Sequence, residues 1–175
     1  DKQMKWKTTH LSLYGVGYHD VSFRDISSHW AKSSIEFLAA RDVVNGKAEG
    51  VFDPEGDVTR AEFVKMLAES MDGIDVGGAK SAGFTDISSA SWYGDYVNWA
   101  AGSGIIKGYT DGSFRPNAKI TREQMAVMTK GFIDYMKVSL DTVNALTSFQ
   151  DQDSISGYAA SQVAEMQQKG IINGN

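Results

Sequence analysis

Residues 108–124, GYTDGSFRPNAKITREQ, decide the fold of this chain. They place an Asp-Gly turn and a proline ahead of a Thr-Arg pair, and a threonine followed three residues later by glutamine is a signature of a helix start. Residues 46–62, GKAEGVFDPEGDVTRAE, repeat this spacing, and the only two prolines of the chain fall at equivalent positions. Such a coincidence indicates an internal repeat. The equivalent pairs are Gly46 and Gly108, Phe52 and Phe114, Pro54 and Pro116, and Thr59-Arg60 and Thr121-Arg122.

Each copy is predicted to form two helices joined by this loop. Apolar residues at helical spacing, Ile35, Leu38 and Ala39 in the first copy, indicate a first helix with Ser27 or Ser28 as its N-cap. That helix is predicted to end with a left-handed residue, at Asp42, Gly104 or Gly170 in the three copies.

The second helix of each copy is predicted to begin with a capping box, Thr59 with Glu62 and Thr121 with Gln124. One apolar stripe follows on each of these helices, because bulky residues recur at helical spacing. The predicted stripes are Phe63, Met66, Leu67 and Met71 in the first copy, and Met125, Met128, Phe132 and Met136 in the second. Two helices of this size cannot bury such stripes alone, so the copies are expected to pack on one another.

A third copy begins at Phe149 and stops at Asn175, before a proline loop and a second helix. The predicted divisions are 1–21, the tail of a preceding domain with a β-like pattern; 22–79, repeat 1; 80–143, repeat 2; and 144–175, an incomplete repeat 3. The fold class is therefore an all-α bundle of three helix-loop-helix repeats. The stripe around Val163 and Met166 is expected to stay partly uncovered, which would invite self-association through the incomplete repeat.

Composition excludes several classes of function. The net charge of −5 argues against a nucleic-acid partner, and the lack of cysteine excludes disulfides and thiolate metal sites. No run of about 18 apolar residues predicts a membrane span, and the N-terminal DKQMKWK lacks the apolar region of a signal peptide, so any leader is expected upstream. The three histidines share no ligand spacing, and no catalytic constellation recurs in the repeats. A non-enzyme without metal or cofactor is predicted.

The combined pattern F-x-D, Trp, G-x-x-D-G-x-F-x-P and T-R-A-E closely resembles S-layer homology domains over residues 22–175. The resemblance implies three tandem repeats in a pseudo-threefold helical bundle, with the first helices central and the Thr-Arg helices around them. It also implies a secreted or cell-surface protein, anchored non-covalently to a secondary wall polymer of a Gram-positive-type bacterium, often through pyruvylated N-acetylmannosamine. The ligand is expected in grooves between neighbouring repeats, near the Thr-Arg segment.

Arg60 and Arg122 are the strongest candidates for ligand binding. A capping box does not require arginine at the first helical position, and the positive end of the helix dipole makes arginine mildly unfavourable there. An anionic partner is therefore expected, and the planar guanidinium fork matches the carboxylate of a pyruvyl ketal. Helix N–H groups are expected to assist. The alternative is an ion pair with the aspartate that opens a repeat: Asp25, Asp86 or Asp151.

The remaining candidates each carry a structural alternative. Trp30 and Trp92 align with each other and with Tyr158, and either stack on a sugar or fill the core. Thr59 and Thr121 are chiefly helix caps, and Asp111, Gly112 and Ser113 form a turn even without a ligand. Lys107 aligns with Asn45 and Asn173, so a cationic contact there would exist in only one groove. The alternative function is a self-assembly or protein-docking module without a carbohydrate ligand.

Overall fold

The structure, a computed structural model, describes residues 19–71 and 73–174. This part of the chain contains five α-helices and two short 3-10 helices but no strand, which confirms the all-α prediction. None of its helices has the length and apolarity to cross a bilayer. Most of the β-like segment, residues 1–18, lies outside the described residues. The α-helices are α1 (Lys32–Ala39), α2 (Arg60–Glu69), α3 (Gly94–Gly102), α4 (Arg122–Met136) and α5 (Ala160–Gln168), and the 3-10 helices are Arg24–Ile26 and Gln152–Ser154.

The second helix of each of the first two repeats starts at its predicted capping box. The Thr59 hydroxyl oxygen accepts the Glu62 N–H at 3.2 Å, and a Glu62 carboxylate oxygen accepts the Thr59 N–H at 2.7 Å. Thr121 and Gln124 form the same reciprocal pair at the start of α4, at 3.3 Å and 3.4 Å. Both predictions are confirmed. Each box satisfies two backbone donors that a helix end would otherwise leave unpaired.

The predicted start of the first helix is wrong. Ser27 and Ser28 follow the 3-10 helix Arg24–Ile26, and α1 begins only at Lys32, without a side-chain cap. The Nδ1 atom of His29 accepts the N–H of Ala31 at 3.2 Å instead. The fully buried Ile26 anchors the intervening turn, and that anchor explains why two good capping residues stand too early in the chain to cap the helix.

The predicted ends of the first helices are confirmed. Asp42, Gly104 and Gly170 all have positive φ, at 59°, 75° and 72°. After each of them a backbone N–H returns to a carbonyl of the last turn, as from Ile105 to Ala100 at 2.9 Å. Glycine adopts this left-handed conformation without strain, whereas an L-residue such as aspartate pays roughly 1–2 kcal/mol.

The loop glycine and the aspartate of the F-x-D motif together shape the connection between the helices. A Cβ on Gly108 would lie 2.3 Å from the Phe84 ring, so only glycine permits this approach. The Asp86 carboxylate accepts the N–H groups of Phe114 and Arg115 at 2.8 Å and 2.7 Å. Arg115 has φ +59° directly before a proline, and the carboxylate supports this unusual backbone. In the first repeat Asp25 binds the N–H groups of Phe52 and Asp53 in the same way.

Helix packing differs from the arrangement that the resemblance implies. The packed pairs are α2 with α3, α4 with α5, and α2 with α4. The second helix of one repeat thus packs on the first helix of the next, and α2 and α4 meet each other. The described first helices form no such pair among themselves, so the centrally placed helices are the Thr-Arg helices.

This packing also corrects the predicted apolar stripe of α2. Its fully buried apolar residues are the small Ala61, Val64 and Ala68, whereas the predicted bulky residues are only partly buried. Because α2 contacts both α3 and α4, its two contact faces flank the small residues, which let the helices approach closely. In α4 the buried residues are Ala126 and Met128, and Met136 of the predicted stripe is 40% exposed.

The expectation of an uncovered third repeat is wrong. Val163 and Met166 are only 6% and 1% exposed. They form a cluster with Ala126 and Ala159, against which Val127 and Ile133 of α4 also pack. The second repeat covers this stripe through α4, so the apolar surface expected to drive self-association is not available there.

Candidate functional site

Arg60 is the only arginine or lysine classed as buried in the described part of the chain, with 4% of its surface exposed. Its Nε donates to the carbonyl oxygen of Phe114 at 2.8 Å, and its Nη1 donates to Oε1 of Gln124 at 3.1 Å. Both partners belong to the second repeat, whereas Arg60 starts the second helix of the first repeat. The guanidinium therefore lies at the boundary between two repeats.

Aromatic rings surround the Arg60 guanidinium. Its Cζ lies 4.5 Å from the centre of the Phe114 ring and 4.9 Å from that of Tyr109, and the Cζ of Arg115 lies 4.1 Å from the Tyr109 ring. Gln124 donates to the Tyr109 hydroxyl at 3.2 Å. Cation–π contacts of this kind partly replace lost water. Two cations thus share one tyrosine.

The third repeat adds Tyr158 to this site. Its hydroxyl donates to Glu123 at 2.9 Å, next to Gln124 at the start of α4. Burial lowers the pKa of Arg60, and the phenol groups of Tyr109 and Tyr158 act in the opposite direction. Arginine keeps its charge at neutral pH even after such a shift, since its ordinary pKa exceeds 12. We define the Arg60 cluster as Arg60, Tyr109, Arg115, Gln124 and Tyr158.

The ion-pair alternative for the two candidate arginines is wrong within the described residues. No carboxylate oxygen there lies within 4.0 Å of a nitrogen of Arg60 or Arg122. Asp25 and Asp86, the proposed partners, bind backbone N–H groups of their own loops instead. Because each loop needs its aspartate, the carboxylate is not available to a neighbouring arginine.

Arg122 lies in a different setting from Arg60. Its side chain is exposed, and its Nη2 donates to the carbonyl oxygen of Asn173 at 2.9 Å. It lines a cavity of about 1050 Å³ between the second and third repeats. The two equivalent arginines thus each reach into the loop of the following repeat, but only Arg60 is enclosed by that loop.

The expected contribution of helix N–H groups fails for α2. The N–H of Arg60 donates to the carbonyl oxygen of Ala118 at 2.9 Å, and that of Ala61 donates to Pro116 at 3.0 Å. The Glu62 N–H is used by the Thr59 cap. The first N–H groups of α2 are therefore consumed by the loop of the second repeat, which leaves the guanidinium as the donor of this helix start.

The two candidate tryptophans are exposed, which excludes the core alternative. Trp30 is 91% exposed and Trp92 is 55% exposed. Trp92 lines a cavity of about 310 Å³ beside Lys47 and Lys65 of the first repeat. Neither tryptophan belongs to the Arg60 cluster. The aromatic residue near Arg60 is Tyr158, which occupies the equivalent position in the third copy.

The turn at residues 111–113 satisfies its own polar groups. One Asp111 oxygen accepts the N–H and the hydroxyl of Ser113 at 2.9 Å and 2.6 Å, and the other accepts Arg115 at 2.8 Å. Hydrogen bonds from Ser113 and Arg115 hold the pKa of Asp111 far below its ordinary value. Gly112 supplies the positive φ of this turn. Lys107 is exposed and makes no ion pair within the described residues.

Sequence reasoning omitted four residues that the structure brings to the site: Tyr109, Glu123, Gln124 and Tyr158. The alignment of Tyr158 with Trp30 and Trp92 was a usable signal for one of them. Glu123 and Gln124 stand where the family pattern has alanine and glutamate, and both have new partners here. Glu123 accepts the Ser156 N–H at 2.8 Å, and Gln124 accepts from Arg60. The departures from the pattern therefore mark contacts between repeats.

Acid is expected to weaken the junction between α4 and the third repeat. Burial would raise the pKa of Glu123, but hydrogen bonds from Ser156 and Tyr158 outweigh it and hold the pKa below its ordinary value. A lowered folded-state pKa means that the carboxylate stabilises the fold above its unfolded-state pKa and loses this effect as pH falls through the folded-state pKa. Urea unfolding should show that Glu123→Gln costs about 1 kcal/mol at pH 7 and almost nothing near pH 3. The exposed Glu49→Gln is the matched control, and an equal cost of Glu123→Gln at both pH values would contradict the assignment.

The family comparison agrees with this repeat pattern. A family model described as S-layer homology domain matches residues 22–64 and 83–126. These two segments contain both capping boxes and both candidate arginines.

Several proteins with different names are similar to this chain. It is 36% identical over 97% of its length to an amylopullulanase of Thermoanaerobacterium thermosulfurigenes. It is 31% identical over 62% of its length to a cellulosome-anchoring protein of Acetivibrio thermocellus, and 35% identical over 60% to an S-layer protein of Bacillus thuringiensis subsp. finitimus. The chain spans 9%, 25% and 13% of these relatives, respectively.

Proposed function

Because this chain belongs to the S-layer homology domain family, we propose that it is an anchoring module that binds a cell-wall polysaccharide carrying pyruvate ketals. The bound chemical group is the carboxylate of the ketal, and the proposed sugar is N-acetylmannosamine in a secondary polymer of a Gram-positive-type wall. The module then holds a larger exported protein at the cell surface without a covalent bond.

One observation carries this proposal: a buried guanidinium without a carboxylate partner in the described residues. Burying a charge is costly unless it is paired, and Arg60 contacts only neutral oxygens and aromatic rings. An incoming carboxylate would supply the opposite charge and accept a charge-assisted hydrogen bond. The nearby Arg115 adds a second positive charge, although Asp111 already pairs with it.

Neighbouring aromatic residues fit the rest of the sugar. Tyr109 and Tyr158 can pack on the apolar face of the ring, and the Asp111, Gly112 and Ser113 turn forms the adjacent loop. In the other grooves Arg122 is the equivalent carboxylate contact, and the exposed Trp30 and Trp92 are proposed to stack on sugars. Lys107, exposed in the second-repeat loop, is proposed as a further contact. Thr59 and Thr121 contribute through their caps, which set the direction of each arginine.

The names of the relatives support a non-catalytic role. An amylopullulanase, a cellulosome-anchoring protein and an S-layer protein share this segment, although their names describe different activities. The segment covers only 9% of the amylopullulanase. A part common to such proteins is better explained by attachment to the cell surface than by one reaction.

Calorimetry with two synthetic sugars tests the proposal. Pyruvylated N-acetylmannosamine is expected to bind at least about tenfold more tightly than the same sugar without its ketal, because a charged hydrogen bond contributes roughly 1.5–3 kcal/mol. The matched experiment in sediments is wall sacculi with and without their secondary polymer. Equal binding of both sugars, or of both wall preparations, would favour a protein-docking module instead.

A further inference from the structure

The cavity of about 1050 Å³ between the second and third repeats has walls that recur elsewhere in the molecule as loop-binding surfaces. Phe149, Asp151 and Gly174 come from the third repeat, and Arg122 and Glu123 come from the start of α4. The counterparts of these residues in the first and second repeats bind a loop that contains a Phe-x-Pro sequence. Each wall can therefore be compared with an occupied equivalent.

The aspartate is the first wall. Asp86 accepts two successive backbone N–H groups, those of Phe114 and Arg115, at 2.8 Å and 2.7 Å. Asp25 does the same in the first repeat. The side chain of Asp151 makes no such hydrogen bond within residues 19–71 and 73–174, and it faces the cavity. It is an acceptor placed for two N–H donors.

The phenylalanine is the second wall. In the two occupied cases the ring of the F-x-D motif packs on the loop phenylalanine, with centres 5.3 Å apart for Phe23 and Phe52 and 5.6 Å apart for Phe84 and Phe114. Phe149 lines the cavity, and a Cβ on Gly174 would lie 3.0 Å from its ring. The close approach of glycine to the ring, seen at Gly108, is thus already formed in the third repeat.

The helix start is the third wall. In α2 the first two N–H groups donate to the carbonyl oxygens of Ala118 and Pro116, and the Arg60 Nε donates to Phe114. These bonds fasten the loop of the second repeat to the helix of the first. Arg122, at the same position in α4, reaches only the Asn173 carbonyl oxygen among the described residues.

We infer that this cavity is a docking site for a peptide segment of the Phe-x-Pro loop type, with the sequence pattern of residues 108–124. The segment offers two successive N–H groups to Asp151, a phenylalanine ring to Phe149 and loop carbonyl oxygens to the start of α4. The two carboxylates in the walls, Asp151 and Glu123, disfavour an acidic saccharide by repulsion, but they suit a peptide that brings N–H donors. This inference concerns protein–protein recognition and does not depend on the carbohydrate ligand.

A synthetic peptide with the sequence of residues 108–124, capped at both ends and carrying a fluorophore, tests this inference by anisotropy. Titration with the 175-residue chain is expected to show saturable one-to-one binding, with a dissociation constant of roughly 10–1000 µM because the free peptide must become ordered. A peptide with Phe114→Ala is expected to bind at least about tenfold more weakly, since it lacks the ring that packs on Phe149.

Variants of the chain locate the binding. Asp151→Asn should weaken binding of the original peptide at least about tenfold, because it removes the charge that holds two N–H groups. Asp153→Asn, an exposed residue of the neighbouring 3-10 helix outside the cavity walls, should leave it unchanged. The inference is overturned by no saturable binding up to about 1 mM, by equal binding of the Phe114→Ala peptide, or by an Asp151→Asn chain that binds normally.

Discussion

Replacing Arg60 with lysine is expected to weaken binding of the ketal-bearing sugar by roughly 10- to 150-fold. Lysine keeps the positive charge, and its ammonium can still reach one carbonyl oxygen, that of Phe114 for example. It cannot hold Phe114 and Gln124 and also present a planar pair of N–H donors to a carboxylate. The lost charge-assisted hydrogen bond, about 1.5–3 kcal/mol, sets the expected factor.

Two controls separate ligand binding from folding. Arg24→Lys changes an exposed arginine whose one hydrogen bond, to the Glu49 carbonyl oxygen, spans 3.5 Å, and it should leave affinity unchanged. The second control is the ratio of affinities for the sugar with and without its ketal, measured by calorimetry on both proteins. Damage to the groove lowers both affinities, whereas loss of the carboxylate contact reduces only the preference for the ketal. Wild-type preference in Arg60→Lys would assign Arg60 to structure alone.

Local sequence signals predicted the parts of this fold that local interactions form. A capping box needs only Thr59, Glu62 and the backbone between them, and its geometry is as expected. The left-handed ends of the first helices likewise depend on a single residue, such as Gly104. The failure at Ser27 and Ser28 has a non-local cause, because burial of Ile26 fixes a turn that no capping rule describes.

The candidate site was only half predictable, because its residues come from three repeats. The anomaly of arginine at the first helical position identified Arg60 from sequence. The choice between an ion pair and a ligand required the structure, since the competing Asp86 is consumed by backbone N–H groups of Phe114 and Arg115. The approach of Tyr158 depends on how the third repeat packs on α4, and helical periodicity carries no information about that contact.

The choice of small central residues was also beyond the periodicity argument. A stripe of bulky side chains suits a helix with one buried face, but α2 packs on two helices at once. Ala61 and Ala68 then lie where the backbones come closest, and both are fully buried. Glycine in α4 follows the same logic, which leads to a prediction about stability.

Gly131→Ala is expected to destabilise the fold by about 2–3 kcal/mol, against the rule that alanine favours a helix. A Cβ on Gly131 would lie 2.5 Å from the carbonyl oxygen of Ile105 and 3.0 Å from its Cα. Ile105 cannot move aside easily, because its side chain is 2% exposed and its N–H donates to Ala100 at 2.9 Å. Overpacking against a fixed backbone typically costs about 1–3 kcal/mol and outweighs the gain in helix propensity of about 1 kcal/mol.

The matched control makes the same substitution at the end of α3. A Cβ on Gly102 would meet nothing within 4 Å, so Gly102→Ala should gain about 0.5–1 kcal/mol in urea unfolding. Opposite signs for the two variants would show that α4 is held at contact distance from the segment around Ile105. The same sign for both would mean that α4 can shift. Because α4 also carries Gln124, which accepts from Arg60, such a shift would also loosen the arrangement of the Arg60 cluster.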